Sequence, residues 1–230
     1  MKLGIIGAME SEVAAIKEKM NITKTVTKAG MEFAEGMIGK TECAVVRCGV
    51  GKVNAGMCVQ ILCDAFGADA ILNTGVAGSL NNDINVGDFV VASSVVYHDV
   101  DATNFGYALG EIPAMGMKDF IPDADLAARA ETAIRKAAGV DVFRGPIASG
   151  DQFICTTEKK HWIKEHFHAY ACDMESTAIG HAASLNNIPF VIIRAISDKA
   201  DEETLITYDQ FEKKAGEDCA NTVYSFVESL

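Results

Sequence analysis

Apolar positions along the chain follow two different periods, which divide most of it into alternating strands and helices. Strands are predicted where apolar and β-branched side chains run almost continuously: residues 2–8, 41–51, 69–80, 88–101, 143–154, 169–175 and 190–198. Helices are predicted where apolar positions have helical spacing: residues 52–66, 123–139, 156–167, 176–187 and the tail from residue 207. Apolar strands that alternate with helices are typical of a largely parallel sheet that is buried on both faces.

Nothing in this pattern indicates a boundary within the chain. Turn residues punctuate it, as at Gly139, which is expected to end the helix that Asp123 is placed to cap. No Pro/Gly/Ser linker and no internal repeat divides the sequence. We therefore predict one α/β domain over residues 1–230. Its central sheet is expected to be mixed but mostly parallel, twisted, and flanked by helices on both faces.

One segment, residues 102–122, fits neither period and predicts a long loop. It carries many apolar side chains, among them Phe105, Tyr107, Leu109 and Phe120. An exposed loop of this composition is unfavourable unless it covers a ligand or a partner, although it could also pack on its own core. We favour a lid or a contact between subunits.

Composition narrows the possible partners and the compartment. The chain has a formal net charge of −12, which disfavours binding to nucleic acids, anionic membranes and polyphosphate substrates. Its seven cysteines lie mostly inside apolar runs and include no C-x-x-C pair, which favours buried thiols in a reducing compartment. We see no signal peptide and no apolar run long enough for a membrane span, so a cytoplasmic protein is expected.

Several familiar catalytic patterns are missing or incomplete. The stretch GVGKVNAG (49–56) is not a phosphate-binding loop, because Val53 follows Lys52 where Ser or Thr is required. His161, His166 and His168 crowd one helix end without a spacing typical of metal ligands. No G-x-S-x-G turn is present, which argues against a serine nucleophile. We predict neither a metal nor a cofactor.

Carboxylates at predicted strand ends are the chemistry that remains. Glu12 follows the first strand, Glu175 lies in DMES, and Asp198 ends the strand that also carries Arg194. One such acid usually caps a helix, but ligands of α/β sheets bind beyond the strand ends, and three acids there suggest a polar pocket. The even spacing of Arg194 and Asp198 places both on one face of a regular strand. Breaking a glycosidic bond needs such a pair of acids, one as proton donor and one to activate water.

Six stretches taken in order make a more specific pattern: GIIGAMESE, NTGVAGSL, YHDVDATNFGY, SGDQFI, DMESTAIGH and RAISD. Together they resemble the 5'-methylthioadenosine/S-adenosylhomocysteine nucleosidases of the nucleoside phosphorylase/hydrolase superfamily, from residue 1 to about residue 226. The resemblance implies a nucleoside phosphorylase-like fold, a homodimer, and hydrolysis of adenine nucleosides in methionine salvage. The turn that helps to hold phosphate in the related phosphorylases carries an acid here, so Glu12 looks like the base that replaces phosphate.

The resemblance also implies a role for each polar group. Asp198 would protonate N7 of the purine, and Glu12 would activate water. Glu175 would accept hydrogen bonds from the ribose hydroxyls, and Arg194 would orient Glu12. The resemblance implies that the base contacts Phe153 and Ile154. It implies that the sugar lies near Met174, Val76, Ala77 and Gly78. It implies that the 5'-alkylthio group lies among Met9, Val50, Phe105 and Tyr208, with Ala102 and Pro113 from the partner subunit.

Some residues depart from the family pattern and leave the substrate preference open. Val76 replaces a frequent Ser, Tyr208 replaces a frequent Phe, and Ala102 is small for the slot. An aminodeoxyfutalosine nucleosidase would share the same acids. A purine nucleoside phosphorylase would need phosphate ligands, which Glu12 disfavours. A purine-binding module without turnover would have no need of both Glu12 and Asp198.

Overall fold

The computed structural model describes residues 1–202 and 204–230. Its strands are β1 (Lys2–Gly7), β2 (Asn21–Lys28), β3 (Met31–Ile38), β4 (Thr41–Arg47), β5 (Ala70–Ser79), β6 (Phe89–Tyr97), β7 (Asp119–Phe120), β8 (Val142–Ser149), β9 (Ala171–Asp173) and β10 (Phe190–Asp198). Its helices are α1 (Ala14–Lys19), α2 (Lys52–Phe66), α3 (Ala124–Ala138), α4 (Thr157–Phe167), α5 (Ser176–Leu185) and α6 (Thr204–Glu228). Short 3-10 turns cover Glu10–Glu12 and Thr103–Phe105.

The strands form one mixed sheet in the order β10-β6-β8-β9-β5-β1-β4-β3-β2, with β7 on β6. The sheet also closes on itself, because β5 pairs with β10 as well as with β1 and β9. One parallel group consists of β1, β4, β5 and β10, and a second consists of β6, β8 and β9. The carboxyl ends of β1, β5, β8, β9 and β10 lead to the pocket described below.

Helices cover both faces of the sheet, as the sequence predicts. Along β1, Ile6 belongs to the apolar cluster that includes α2 and α5, whereas Leu3 and Ile5 belong to the cluster that includes α1, α3 and α6. This alternation is what a strand buried on both faces requires. A third cluster packs Ile163 and Phe167 of α4 against the ends of β6 and β8.

Most predicted elements are present, and two helices match closely. Helix α2 spans residues 52–66 as predicted, and Asp123 caps α3 by accepting a hydrogen bond from the backbone of Leu126 at 2.9 Å. Helix α6 begins at Thr204, slightly before residue 207. The strand predicted over 143–154 is too long, because β8 ends at Ser149 and the chain then leaves the sheet.

The hairpin of β2 and β3 was not predicted. Its first strand, NITKTVTK, is almost wholly exposed, so it carries no apolar alternation that would reveal a strand. The segment 102–122 is a loop over most of its length, as expected, with Phe105 85% and Ile121 65% exposed. Within the described part of the chain, no helix is long and apolar enough to cross a membrane.

Candidate active site

One pocket of about 560 Å³ collects most of the residues that the sequence singled out. Those that line it are Met9, Glu12, Val50, Val76, Ala77, Gly78, Phe153, Ile154, Met174, Glu175, Asp198 and Tyr208. The pocket therefore lies where strands end, and it combines an apolar wall with the carboxyl groups of Glu12, Asp173, Glu175 and Asp198.

Glu12 is a buried carboxylate at the base of this pocket, with 3% of its surface exposed. Its Oε2 accepts hydrogen bonds from the backbone N–H groups of Ala8 and Met9, at 2.6 and 2.9 Å, and its Oε1 accepts one from Val76 at 3.0 Å. Burial raises the pKa of Glu12, while the charge of Arg194 and these three donors oppose the rise. The side chain thus caps the 3-10 turn in which it lies, through the backbone of Met9, and also binds the backbone just after β1 and that of β5.

Asp198 lies at the end of β10, where the strand contains one extra residue. Ile196 pairs with Ala77 and Asp198 with Gly78, so two steps along β10 match one step along β5. Ser197 and Asp198 consequently both line the pocket. The expectation that Arg194 and Asp198 share one face of a regular strand is wrong, because the extra residue lies between them. Asp198 lines the pocket and Arg194 does not.

The carboxyl group of Asp198 is buried, with 3% of the residue exposed, and it accepts hydrogen bonds from three donors among the described residues. Its Oδ1 accepts from the backbone of Ala200 at 2.8 Å and from the Thr204 hydroxyl at 3.2 Å, and its Oδ2 accepts from the Ser197 hydroxyl at 2.8 Å. Burial raises the pKa of Asp198 against these hydrogen bonds, and the nearby charge of Asp201 adds to the rise. At Glu12 the charge of Arg194 opposes the rise instead, so the two carboxyl groups have different electrostatic surroundings.

Glu175 is the third carboxyl group of the pocket. Its Oε1 accepts from the backbone of Gly51 at 2.7 Å, at the start of α2. Burial, reinforced by the charge of Asp173, raises the pKa of Glu175 to about 8. Hydroxyl donors from a ligand would favour its ionised form.

Arg194 lies behind the pocket and pairs with Asp173, a residue that sequence reasoning missed. Its Nε is 2.7 Å from Asp173 Oδ2, and both side chains are nearly inaccessible. Arg194 also donates to the side chain of Asn73 and to the backbone of Ile193. It acts on Glu12 through its charge. Arg194 is not among the described residues that line the pocket.

Asp173→Asn should lower the free energy of unfolding by roughly 3–5 kcal/mol, because it leaves the buried guanidinium of Arg194 without its counter-charge. Asp173 also accepts hydrogen bonds from Ser149 and Ser176, which the amide can keep only in part. Urea denaturation measures the loss. The exposed Asp125→Asn is the matched control, and equal stability of the two variants would contradict a structural ion pair.

Two glycines let the backbone approach the catalytic carboxyl groups closely. A Cβ added at Gly75 would stand 2.5 Å from Oε1 of Glu12, and one at Gly78 would stand 2.8 Å from Oδ1 of Asp198. Neither distance is a possible van der Waals contact. The hydrogen bond from Val76 to Glu12 depends on this approach.

The apolar wall brings together three predicted side chains. Phe153, which is 45% exposed, meets the ring of Tyr208 edge-on at a centroid distance of 5.3 Å. The hydroxyl of Tyr208 donates to the sulfur of Met9 at 3.4 Å. The loop that carries Phe153 is anchored by Asp99, which accepts from the backbone of Asp151 at 3.0 Å and pairs with Lys52.

Other predicted residues do not reach the pocket. Ala102, Phe105 and Pro113 lie on the 102–122 loop and line no part of it within one chain. Sequence reasoning also missed the lining residues Ala8, Gln152, Cys172, Asp173 and Ser197. The position of Asp173, two residues before Glu175, was the one available signal for its role.

Comparison with known proteins places this architecture. The family model of the phosphorylase superfamily matches residues 2–228. A 5'-methylthioadenosine/S-adenosylhomocysteine nucleosidase from Shewanella pealeana is 41% identical over 231 aligned residues, which cover 100% of both proteins. The chain belongs to this nucleosidase family.

Solved structures of the nucleosidase family agree with this assignment. The Neisseria meningitidis nucleosidase in complex with methylthio-immucillin-A superposes with a TM-score of 0.96 at 38% identity, covering 100% of this chain and 99% of that one. A second similar structure is the futalosine hydrolase of Helicobacter pylori, with a TM-score of 0.95, 32% identity and coverage of 100% and 98%. The same fold therefore serves more than one nucleoside.

Proposed function

We propose that the chain hydrolyses the N-glycosidic bond of 5'-methylthioadenosine and S-adenosylhomocysteine, and releases adenine and the 5-thio-substituted ribose. The observation that carries this proposal is that Glu12 and Asp198 are buried in one pocket with different electrostatic surroundings. Burial raises the pKa of both groups, but the charge of Arg194 opposes the rise at Glu12 whereas the charge of Asp201 adds to it at Asp198, and this contrast can divide the base and acid roles. The activity belongs to methionine salvage and to recycling of S-adenosylmethionine by-products.

Asp198 acts as the general acid. Adenine leaves poorly as an anion, so a proton must reach N7 as the bond to the sugar breaks. Burial raises the pKa of Asp198, which favours the protonated carboxyl that a general acid requires. The three hydrogen bonds to its oxygens fix the direction in which that proton is presented.

Glu12 acts as the base for the attacking water. Its three backbone donors and Arg194 favour the ionised form that the base requires. The base takes one proton from water as the oxygen attacks the anomeric carbon, and the bond to adenine breaks. Its negative charge also stabilises the cationic sugar of the transition state.

The remaining pocket residues bind the substrate. Glu175 accepts hydrogen bonds from the ribose hydroxyls, and Met174 packs against the sugar. Phe153 stacks on adenine, whose edge meets backbone groups of Phe153 and Ile154. Met9, Val50 and Tyr208 form the slot for the alkylthio group.

The whole chain, residues 1–230, forms the nucleosidase domain in this proposal, and it works as a cytoplasmic homodimer. The exposed ring of Phe105 supports the dimer, because so large an apolar surface on a loop is unfavourable in water. Ala102, Phe105 and Pro113 would close the alkylthio slot of the partner subunit.

A second candidate substrate is aminodeoxyfutalosine, because the similar Helicobacter pylori structure is a futalosine hydrolase. Hydrolysis of aminodeoxyfutalosine would need the same acid, Asp198, and the same base, Glu12. Hydrolysis of 5'-deoxyadenosine would need them too. Adenine release from each nucleoside, measured as kcat/KM, ranks the substrates. A chain that binds these nucleosides without releasing adenine would be a purine-binding module, and the proposed reaction would be wrong.

Adenine release should not depend on phosphate. The buried carboxylate of Glu12 occupies the strand end and would repel a phosphate there. The test compares initial rates with and without inorganic phosphate, with sulfate as the control for ionic strength. The expected product is the free sugar. A phosphate-dependent rate with a sugar 1-phosphate product would identify a phosphorylase instead.

A further inference from the structure

A groove of about 730 Å³ opens beside the pocket, on the side of the proposed alkylthio slot. The two share Ala8, Met9 and Val50 as lining residues, so the groove is continuous with the slot. Its far wall is the turn between β2 and β3 and the end of β4. None of the roles proposed above uses this space.

The groove contains a pair of opposite charges that are only loosely attached to each other. Arg47, 57% exposed at the end of β4, places Nε 3.7 Å from Oε2 of Glu10, which is 54% exposed. The other carboxylate oxygen of Glu10 lies 3.6 Å from Nζ of Lys17. These distances are longer than hydrogen bonds, so both charged groups are available to a ligand.

We propose that this groove holds the α-amino acid end of S-adenosylhomocysteine, with Arg47 on its carboxylate and Glu10 on its ammonium. The inference rests on the proposed function, which places the 5' sulfur between Met9 and Val50. A methyl group on that sulfur ends in the slot, whereas a longer chain continues between these two residues into the groove. Its carboxylate and ammonium stand on one carbon, which matches the adjacent opposite charges of Arg47 and Glu10.

Binding in this way replaces the loose ion pair between Arg47 and Glu10 with two ion pairs to the ligand, one from each residue. The guanidinium of Arg47 offers parallel N–H donors that suit a carboxylate. Glu10 loses its weak contact with Arg47 and gains the ammonium. A 5' substituent with a carboxylate but no ammonium, as an aryl carboxylate has, would engage Arg47 alone.

Arg47→Gln should raise KM for S-adenosylhomocysteine by about two- to fivefold at low ionic strength, and the difference should shrink as salt is added. The value of kcat should stay the same, because the contact is remote from the bond that breaks and is equal in the ground and transition states. Kinetics with 5'-methylthioadenosine should not change. Arg129→Gln, which removes an exposed arginine paired with Asp125 on α3, is the matched control and should change neither substrate.

Glu10→Gln is the second arm. It should raise KM for S-adenosylhomocysteine but not for the analogue in which hydrogen replaces the ammonium group. An equal rise in KM for both compounds, or no rise for either, would mean that Glu10 does not bind the ammonium, and the zwitterion site would be wrong. Unchanged KM in Arg47→Gln, or an equal rise for both nucleosides, would overturn the inference while the proposed function stands. A wild-type chain that cleaves neither nucleoside would overturn both.

Discussion

Glu12→Gln is expected to lower kcat/KM for 5'-methylthioadenosine by ~10²–10⁴-fold, the usual effect of losing a general base. The amide keeps the size of the carboxylate but cannot take a proton from water. It also removes the negative charge nearest to the developing cation of the sugar. Adenine release under steady-state conditions measures the loss, and Glu18→Gln on the exposed face of α1 is the control.

Stability separates this role from a structural one. Three backbone N–H groups donate to Glu12, and one of them would face the amide nitrogen in the variant, so a small loss of stability is expected. The melting temperature should therefore fall by a few degrees at most, while activity is nearly abolished. Retention of more than about a tenth of wild-type activity would exclude Glu12 as the base.

The pH dependence gives Glu12 a second signature. A base must be ionised, so wild-type kcat/KM should fall as pH decreases through the pKa of Glu12, which burial raises above that of an ordinary carboxyl. In Glu12→Gln the contribution of Glu12 to the acid limb should disappear, whereas the contribution of Glu175, with its pKa of about 8, should remain. On the alkaline side, the rate should fall as Asp198 loses its proton, and burial moves that limb upward as well.

Asp198→Asn is expected to abolish adenine release while substrate still binds. Asparagine keeps the shape and two of the acceptor sites of the side chain, but it carries no transferable proton. The loss should again be ~10²–10⁴-fold in kcat. Binding of 5'-methylthioadenosine to the variant, measured by calorimetry, should remain. The exposed Asp125→Asn serves as the control.

A substrate with a better leaving group tests the reason for the loss. A nitrophenyl riboside releases a stable anion and needs no proton, so Asp198→Asn should recover part of its activity on it. Rapid cleavage of the ordinary substrate would mean that Asp198 is not the acid. Failure to bind either substrate would make the residue structural.

The sequence predicts the elements whose burial leaves a clear period. Helix α2 and strand β10 are apolar over their whole length or along one face, and both lie where the pattern places them. The hairpin of β2 and β3 is invisible because β2 is almost wholly exposed. The end of β8 is missed because Phe153 and Ile154 are again apolar after the stretch SGDQ (149–152), where the chain has already left the sheet and entered the pocket wall.

The site follows a similar division. Carboxyl groups at strand ends can be found from sequence, because the fold class fixes where strands end. The extra residue at Ser197 cannot, since a bulge leaves no mark in the apolar pattern, and it invalidates the inference that even spacing places Arg194 and Asp198 on one face of the strand. The partner of Arg194 was also hidden, because Asp173 reads as one more acid in a short polar stretch until the distance between them is known.

The close approach at Gly75 and Gly78 has a consequence for how this activity can be traced through evolution. The two positions contribute no functional group, yet a methyl group at either would displace a catalytic carboxyl. A natural variant that keeps Glu12, Glu175 and Asp198 but carries alanine at one of these glycines is therefore expected to be inactive. Searches for active relatives should therefore require glycine at positions 75 and 78 as strictly as they require the catalytic acids.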